Sequence, residues 1–248
     1  MSLEDELSYQ AEEARKIDPQ PLSQETIARY RKTAHWRYYF LECVFHLLGD
    51  VSGKTVFDFG CGDGGNSLVL ASMGAMTTGM DISPDLIEVA RRRARLQGVN
   101  INFSVGDIRD THPGKFDAIV CVSVLHHVDL DAVLPRLLAC ARPGSTVVIV
   151  EPVNLSPTLR AIRLRLPVPV HGSPDEAPLT ADRVARVLSS LRNPQCHYFD
   201  LTARLQRVLG QWIAPVTTRV DRILLSIFPF LKKFCAVVVI CGQANGRV

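Results

Sequence analysis

The residues able to do chemistry in this sequence fall into two sets, one suited to holding a nucleotide-like ligand and one suited to moving a proton. Asp58, Gly60, Cys61, Gly62 and Gly64 lie within TVFDFGCGDGG, residues 55–65. Glycines at alternate positions let a chain turn sharply and leave a ligand room against the main chain. Asp81 follows Gly62 by 19 residues, a spacing at which a carboxylate can accept both hydroxyls of a ribose. The apolar Ile82 beside it can pack on a base. Asp107 and Ile108, in Gly-Asp-Ile, can offer a carboxylate and a backbone N–H to an adenine edge. His126 and His127 are the proton-moving pair, since an imidazole titrating at about 6.5 can take a proton from a hydroxyl near neutral pH. Asp129 follows them closely, but adjacent ligands point in different directions and no metal is expected.

These groups need strands and turns to carry them. Thr55, Val56, Phe57 and Phe59 are β-branched or aromatic and predict a buried strand. The glycines then lead into a helix from Ser67 whose first N–H groups face the ligand. A second strand is expected from Ala75 to Met80, ending in Asp81. Ser83-Pro84-Asp85 reads as a helix start, with Ser83 as N-cap and Pro84 at the first position, and Gly98 as the stop. Arg91, Arg92, Arg93 and Arg95 form a basic cluster on that helix, read as a solvated face. Further strands are expected at 101–105, 116–122 and 146–150, with Glu151 ending the last.

The flanking segments carry weaker signals. Ser23 caps a helix expected to run unbroken from Ile27 to Leu48. It is rich in rings, most of which are expected to pack on the sheet edge, with Tyr30 and Trp36 as candidate acceptor-facing residues. Between Pro152 and Pro178 six prolines forbid a long regular element, the mark of a lid or substrate loop. Arg160 within it is a candidate contact to an anionic acceptor, and Leu159, Ile162 and Leu166 could face a membrane surface. A helix over 180–190, a strand near 197–201, a helical stretch and a last strand over 236–241 complete the chain. The expected organisation is a helical arm or cap over 1–50 and a ligand-binding domain over 51–248, with a lid at 152–180.

Composition limits the function classes. With 248 residues, 47% hydrophobic and 21% charged, the chain suits one globular α/β domain with additions. No apolar run reaches the roughly 20 residues that span a bilayer, and the acidic amino terminus does not read as a signal peptide. Seven cysteines without C-x-x-C spacing argue against a disulfide framework or zinc site, so a reduced, cytoplasmic compartment is expected. Residues 1–151 carry 15 basic and 20 acidic side chains, residues 152–248 carry 13 and 5; the later part favours anions. No nucleic-acid module is recognisable, and the oligomeric state stays open.

Taken together, Asp58-Phe59-Gly60-Cys61-Gly62-Asp63-Gly64, Met80-Asp81-Ile82-Ser83, Gly106-Asp107-Ile108, the run Cys121 to Val128, and Arg142-Pro143-Gly144-Ser145 resemble the motifs of class I S-adenosylmethionine (SAM)-dependent methyltransferases at their usual spacings. Gly60, Gly62 and Gly65 also satisfy the weaker dinucleotide pattern G-x-G-x-x-G. A nicotinamide oxidoreductase therefore stays as an alternative, as does a non-catalytic SAM-binding partner subunit. The resemblance implies a Rossmann-like α/β fold: a seven-stranded sheet of order 3-2-1-4-5-7-6, last strand antiparallel, with helices on both faces. It implies SAM as cofactor, leaving as S-adenosylhomocysteine, held by Asp58, Gly60, Cys61, Gly62, Gly64, Asp81, Ile82, Asp107, Ile108 and Ser123. His126 or His127 would act as base, and Tyr30, Trp36, Glu151 and Arg160 would lie on the substrate side. Leu125-His126-His127-Val128 is similar to the small-molecule branch, including quinone and natural-product O-methyltransferases. The implied acceptor is a small molecule, first through a hydroxyl oxygen, with nitrogen or carbon as alternatives.

Overall fold

The apolar pentapeptide Thr55–Phe59 forms β1, buried at the middle of a single sheet. The structure, a computed structural model, describes residues 3–156, 178–202 and 210–245. The other strands are β2 (Met76–Asp81), β3 (Asn102–Val105), β4 (Phe116–Val122), β5 (Ala141–Pro152), β6 (Leu191–Phe199) and β7 (Val237–Ala244). Their order is β3-β2-β1-β4-β5-β7-β6. Pairings from β3 through β5 are parallel, and β7 runs antiparallel to both β5 and β6. This is the Rossmann-like order implied by the motifs.

Side chains alternate across the sheet, so each strand feeds two cores. Phe57 joins Ile119, Leu137, Ile149 and Ile240 on one face. Val56 joins Phe45, Leu70, Val120, Val148 and Val239 on the other. Phe57 is fully buried, and Phe57→Ala would cost about 3–5 kcal/mol through lost burial and the cavity left behind. Helices cover these faces: α1 (Leu3–Lys16), α2 (Gln24–Lys32), α3 (Phe40–Leu48), α4 (Gly65–Ser72), α5 (Pro84–Gln97), α6 (Leu130–Ala139), α7 (Ala181–Ser189) and α8 (Ala214–Ile227). The start of α5 is as read from sequence: Ser83 Oγ accepts from Leu86 N, Pro84 opens the helix, and Gly98 closes it in the left-handed conformation.

Three elements differ from expectation. The segment 27–48 is two helices, because Thr33 turns left-handed (φ 42°) and ends α2. Buried Glu42 then ties the pieces together, accepting from Arg29 Nε at 2.5 Å and His35 N at 2.7 Å. Strand β6 starts at Leu191, well before His197, passing Pro194 within a register shift between Arg192 and Gln195; an edge strand tolerates such an interruption. The arginine cluster on α5 is not one solvated face, since Arg91 donates to Phe103 O and Arg93 to Asp63. Most of the expected lid, including Arg160, lies outside the described residues.

Candidate functional site

At the end of β1 the chain turns through Gly60, Gly62 and Gly64, with φ of 69°, 51° and 81°. These left-handed values favour glycine. A Cβ on Gly60 would stand 2.1 Å from a Val124 methyl, so this glycine lets the loop after β4 close onto the turn. A Cβ on Gly62 would meet nothing within 4 Å, which marks the open side of the turn. Gly60 N and Cys61 N both donate to Met80 O, and Arg93 grips the turn from below through Asp63 Oδ2 at 2.5 Å. Cys61 is buried, and burial pushes its thiol pKa up well beyond the range in which it would react.

Three acids stand at the ends of β1 to β3 in three different states. Asp81 is buried; its Oδ2 accepts from Gly62 N and its Oδ1 from Ser83 N, each at 2.9 Å. It thereby locks β2 to the glycine turn. Asp58 is 1% exposed, with Oδ2 accepting from Ser67 Oγ at 2.6 Å and Oδ1 buried without a partner. Burial pushes the Asp58 pKa up to about 6, against the pull of the Ser67 hydrogen bond. A buried, half-satisfied carboxylate invites a cationic or N–H donor. Asp107 instead accepts from Arg109 N, Nε and Nη2, and this guanidinium holds its carboxyl below the usual range. Ile82 is half-buried beside Asp81, while Ile108 belongs to the core.

The end of β4 leads into His126 and His127, the pair expected to move a proton. Ser123 is left-handed (φ 58°) and donates its N–H to Val150 O at 2.8 Å. A non-glycine residue in that conformation is strained and is held there by its surroundings. Glu151, fully buried on β5, accepts from Val124 N and Leu125 N through Oε1. Its Oε2 lies 2.7 Å from His126 Nδ1. That bond assigns the proton to Nδ1 and leaves Nε2 as the nitrogen able to take one. His126 is itself buried, and the exposed His127 ring tilts against it at 3.9 Å between centroids. From α7, Arg183 Nη2 donates to Leu125 O at 2.6 Å and Val128 O at 3.0 Å, clamping the loop's other edge. Asp129 caps α6 through Asp131 N; among the described residues no cluster of ligands could hold a metal.

The sheet thus gathers Asp58, Gly60, Gly62, Gly64, Asp81, Ser123 and His126 at the carboxyl ends of β1, β2 and β4. Tyr30 packs on Phe45, and Trp36 stacks on His46 and meets His197 edge-on. Both rings pack against the second core, so their expected substrate role has no support in this arrangement. Glu151 likewise faces backbone and His126, and its geometry is that of a support. Sequence reasoning did not find Arg183, whose only signal is a basic residue in the first turn of a helix.

Residues 56–144 match a protein-family description, methyltransferase domain. A ubiquinone biosynthesis O-methyltransferase of Xanthomonas euvesicatoria pv. vesicatoria (strain 85-10) is 32% identical over 117 residues, covering 46% of this chain and 48% of its own. A protein of the same name from Coxiella burnetii (strain Dugway 5J108-111) is 40% identical over 97 residues, covering 38% and 42%. The chain therefore spans less than half the length of these curated relatives. Among solved structures, a magnesium protoporphyrin IX methyltransferase from Synechocystis PCC 6803 with bound S-adenosylhomocysteine superposes with a TM-score of 0.57, at 16% identity, over 96% of this chain and 94% of that one. A cyclase superposes with a TM-score of 0.55 at 17% identity over 83% and 82%. At such identities the likeness is one of fold, and the cyclase shows that the fold alone does not name the reaction.

Proposed function

Since residues 56–144 match a methyltransferase domain, we propose that this chain is a class I SAM-dependent methyltransferase that transfers the methyl group of SAM to a hydroxyl oxygen of a small-molecule acceptor. The observation that carries the reading is the buried His126–Glu151 pair, held at the end of β4 against the Gly60 turn. The residues present suit the cofactor. Asp58 has a buried carboxylate oxygen lacking a donor, which the cofactor's ammonium can supply. The open side of Gly62 leaves backbone accessible, and Asp81 and Ile82 stand beside it for the ribose and the base. Asp107 would reach the adenine amine only by sharing its carboxylate with Arg109.

When bound, SAM supplies an electrophilic methyl on its sulfonium, so the protein's work is positioning and proton removal. His126 Nε2 takes the acceptor's hydroxyl proton as the oxygen becomes nucleophilic. Glu151 Oε2, holding Nδ1–H, fixes the tautomer and stabilises the imidazolium that forms. Its other oxygen and Arg183 keep the loop from moving as charge changes. The relatives' name, an O-methyltransferase of ubiquinone biosynthesis, agrees with a hydroxyl on a quinone-like ring.

Two finer readings rest on sequence alone. The segment 152–178, with Arg160, would cover the acceptor and attract an anionic group on it. A reducing, cytoplasmic setting would suit seven unpaired cysteines; no helix among the described residues is long and apolar enough to cross a membrane. The test is incubation of the purified chain with methyl-labelled SAM and a panel of phenols, catechols and amines. Label on a phenolic oxygen is expected. Binding of SAM with no transfer to any acceptor would favour a non-catalytic partner.

A further inference from the structure

The helix α8 buries one side and leaves a second, apolar side in water. Thr217, Thr218, Asp221 and Leu225 form the buried face. Val216, Val220, Ile223 and Ile227 recur at intervals of four, three and four, which places them along one line on the opposite face. Ile223 is 57% and Ile227 60% exposed. The ridge is extended by Trp212, 80% exposed, at its start and by Phe230, 62% exposed, at its end. A contiguous apolar ridge of this kind on an otherwise polar surface marks a place of contact.

Charge chooses the partner. Between residues 211 and 234 the cations are Arg219, Arg222, Lys232 and Lys233, and the sole acid, Asp221, is buried and accepts from Thr202 N. Arg219, Lys232 and Lys233 are exposed, and among the described residues none of the three has a carboxylate partner. Arg222 and Lys232 also line a cavity of about 280 Å³ beside the ridge, together with His197 and Tyr198. Pairing two copies through this face would bring two sets of cations together with no exposed acid from the same stretch to answer them, which opposes self-association. The ridge projects outward instead of forming a groove, ends in rings at both extremities, and is flanked by positive charge. Those are the properties of a helix that lies in the headgroup layer.

We infer that α8 is an interfacial anchor that docks this chain on an anionic lipid surface, with Val216, Val220, Ile223 and Ile227 entering the acyl boundary and Lys232 and Lys233 meeting lipid phosphates. The inference stands apart from methyl transfer, because docking is read without any turnover. It also uses a surface other than the segment carrying Arg160.

The purified chain is floated with vesicles of phosphatidylcholine alone and of equal parts phosphatidylcholine and phosphatidylglycerol. Flotation with the anionic vesicles, weakened by salt, is expected, together with a blue shift of tryptophan emission, since Trp212 is the exposed indole and Trp36 is packed. Ile223→Ser/Ile227→Ser alters only exposed positions and should weaken binding by about tenfold or more. Lys232→Gln/Lys233→Gln should abolish the preference for anionic vesicles. Absence from both vesicle types would overturn the inference, and so would serine variants that float like the wild type. A wild-type dimer in sedimentation that the serine variants dissolve would assign the ridge to a second copy and overturn it as well.

Discussion

Strands β1 and β5 each bury a carboxylate beside the carboxyl edge of the sheet, and the protein treats the two in opposite ways. Glu151 on β5 has donors at both oxygens: two backbone N–H groups and the His126 imidazole. Asp58 on β1 is held through Ser67, by its hydroxyl and its backbone, and has one buried oxygen without a partner. A satisfied buried carboxylate fixes what surrounds it, because breaking its bonds would strand a charge. A half-satisfied one stores an unmet demand that a ligand can answer. On the proposed function, the difference separates a part of the site that would aim a base from a part that would receive a cofactor.

The sharpest way to break this comparison is at the base. His126→Ala should lower turnover by roughly 10²–10⁴ while SAM affinity stays near the wild-type value. Steady-state rates beside a calorimetric titration would show it, and retained turnover would mean that positioning alone suffices.

The next effect comes from Asp58 itself. Its folded pKa is raised from 3.8 to about 6, so the folded state binds the extra proton. Its share of stability is fully present below about pH 3.8, declines as pH rises towards about 6, and is flat above; the drop is about 3 kcal/mol. Asp58→Asn should therefore be more stable than wild type above about pH 6, with the difference vanishing in acid. Urea melts of both proteins across that window measure it. If an ammonium answers Asp58, wild-type SAM affinity should also rise with pH through the same window, and the Asn variant should lose that dependence.

Asp81→Ala should weaken SAM binding by about 1–3 kcal/mol, the scale of lost hydrogen bonds to a charged group. Part of that loss would come from the freed Gly62 turn, so Asp81→Asn, which keeps an acceptor for one N–H, should retain more affinity. The smallest effect is expected at the edge of the turn. Arg93→Ala removes the grip on Asp63 and should weaken SAM binding by less than about tenfold, since the pair is partly exposed and such pairs contribute little.

The receiving half of the site was legible in the sequence because its groups are local. Glycines that need left-handed φ, a carboxylate a fixed distance along, and a Ser-Pro helix start all leave marks within short stretches. In the other half His126 was legible, but the contacts that hold it were not. Glu151 lies 25 residues beyond His126, and they meet only because β4 and β5 pair in parallel with Val122 opposite Val150. Arg183 reaches the same loop from a helix 55 residues after Val128. The break at Thr33 escaped because apolar spacing continues across it, and buried Glu42, which stabilises the break, reads in sequence as an ordinary surface acid. Ring-rich sequence gives no direction either: the packing of Tyr30 on Phe45 and of Trp36 on His46 and His197 shows only in the structure.

The division of labour is tested most directly by measuring SAM affinity and saturated turnover together in Asp58→Asn and Glu151→Gln. In Glu151→Gln, the amide oxygen can still accept from Val124 N and Leu125 N, but its NH₂ facing His126 would leave Nδ1 without its acceptor and move the proton to Nε2. The account predicts that Asp58→Asn raises the SAM Kd and leaves kcat nearly intact, while Glu151→Gln lowers kcat and leaves Kd unchanged. Both variants shifting the same constant, or Glu151→Gln turning over at the wild-type rate, would contradict it.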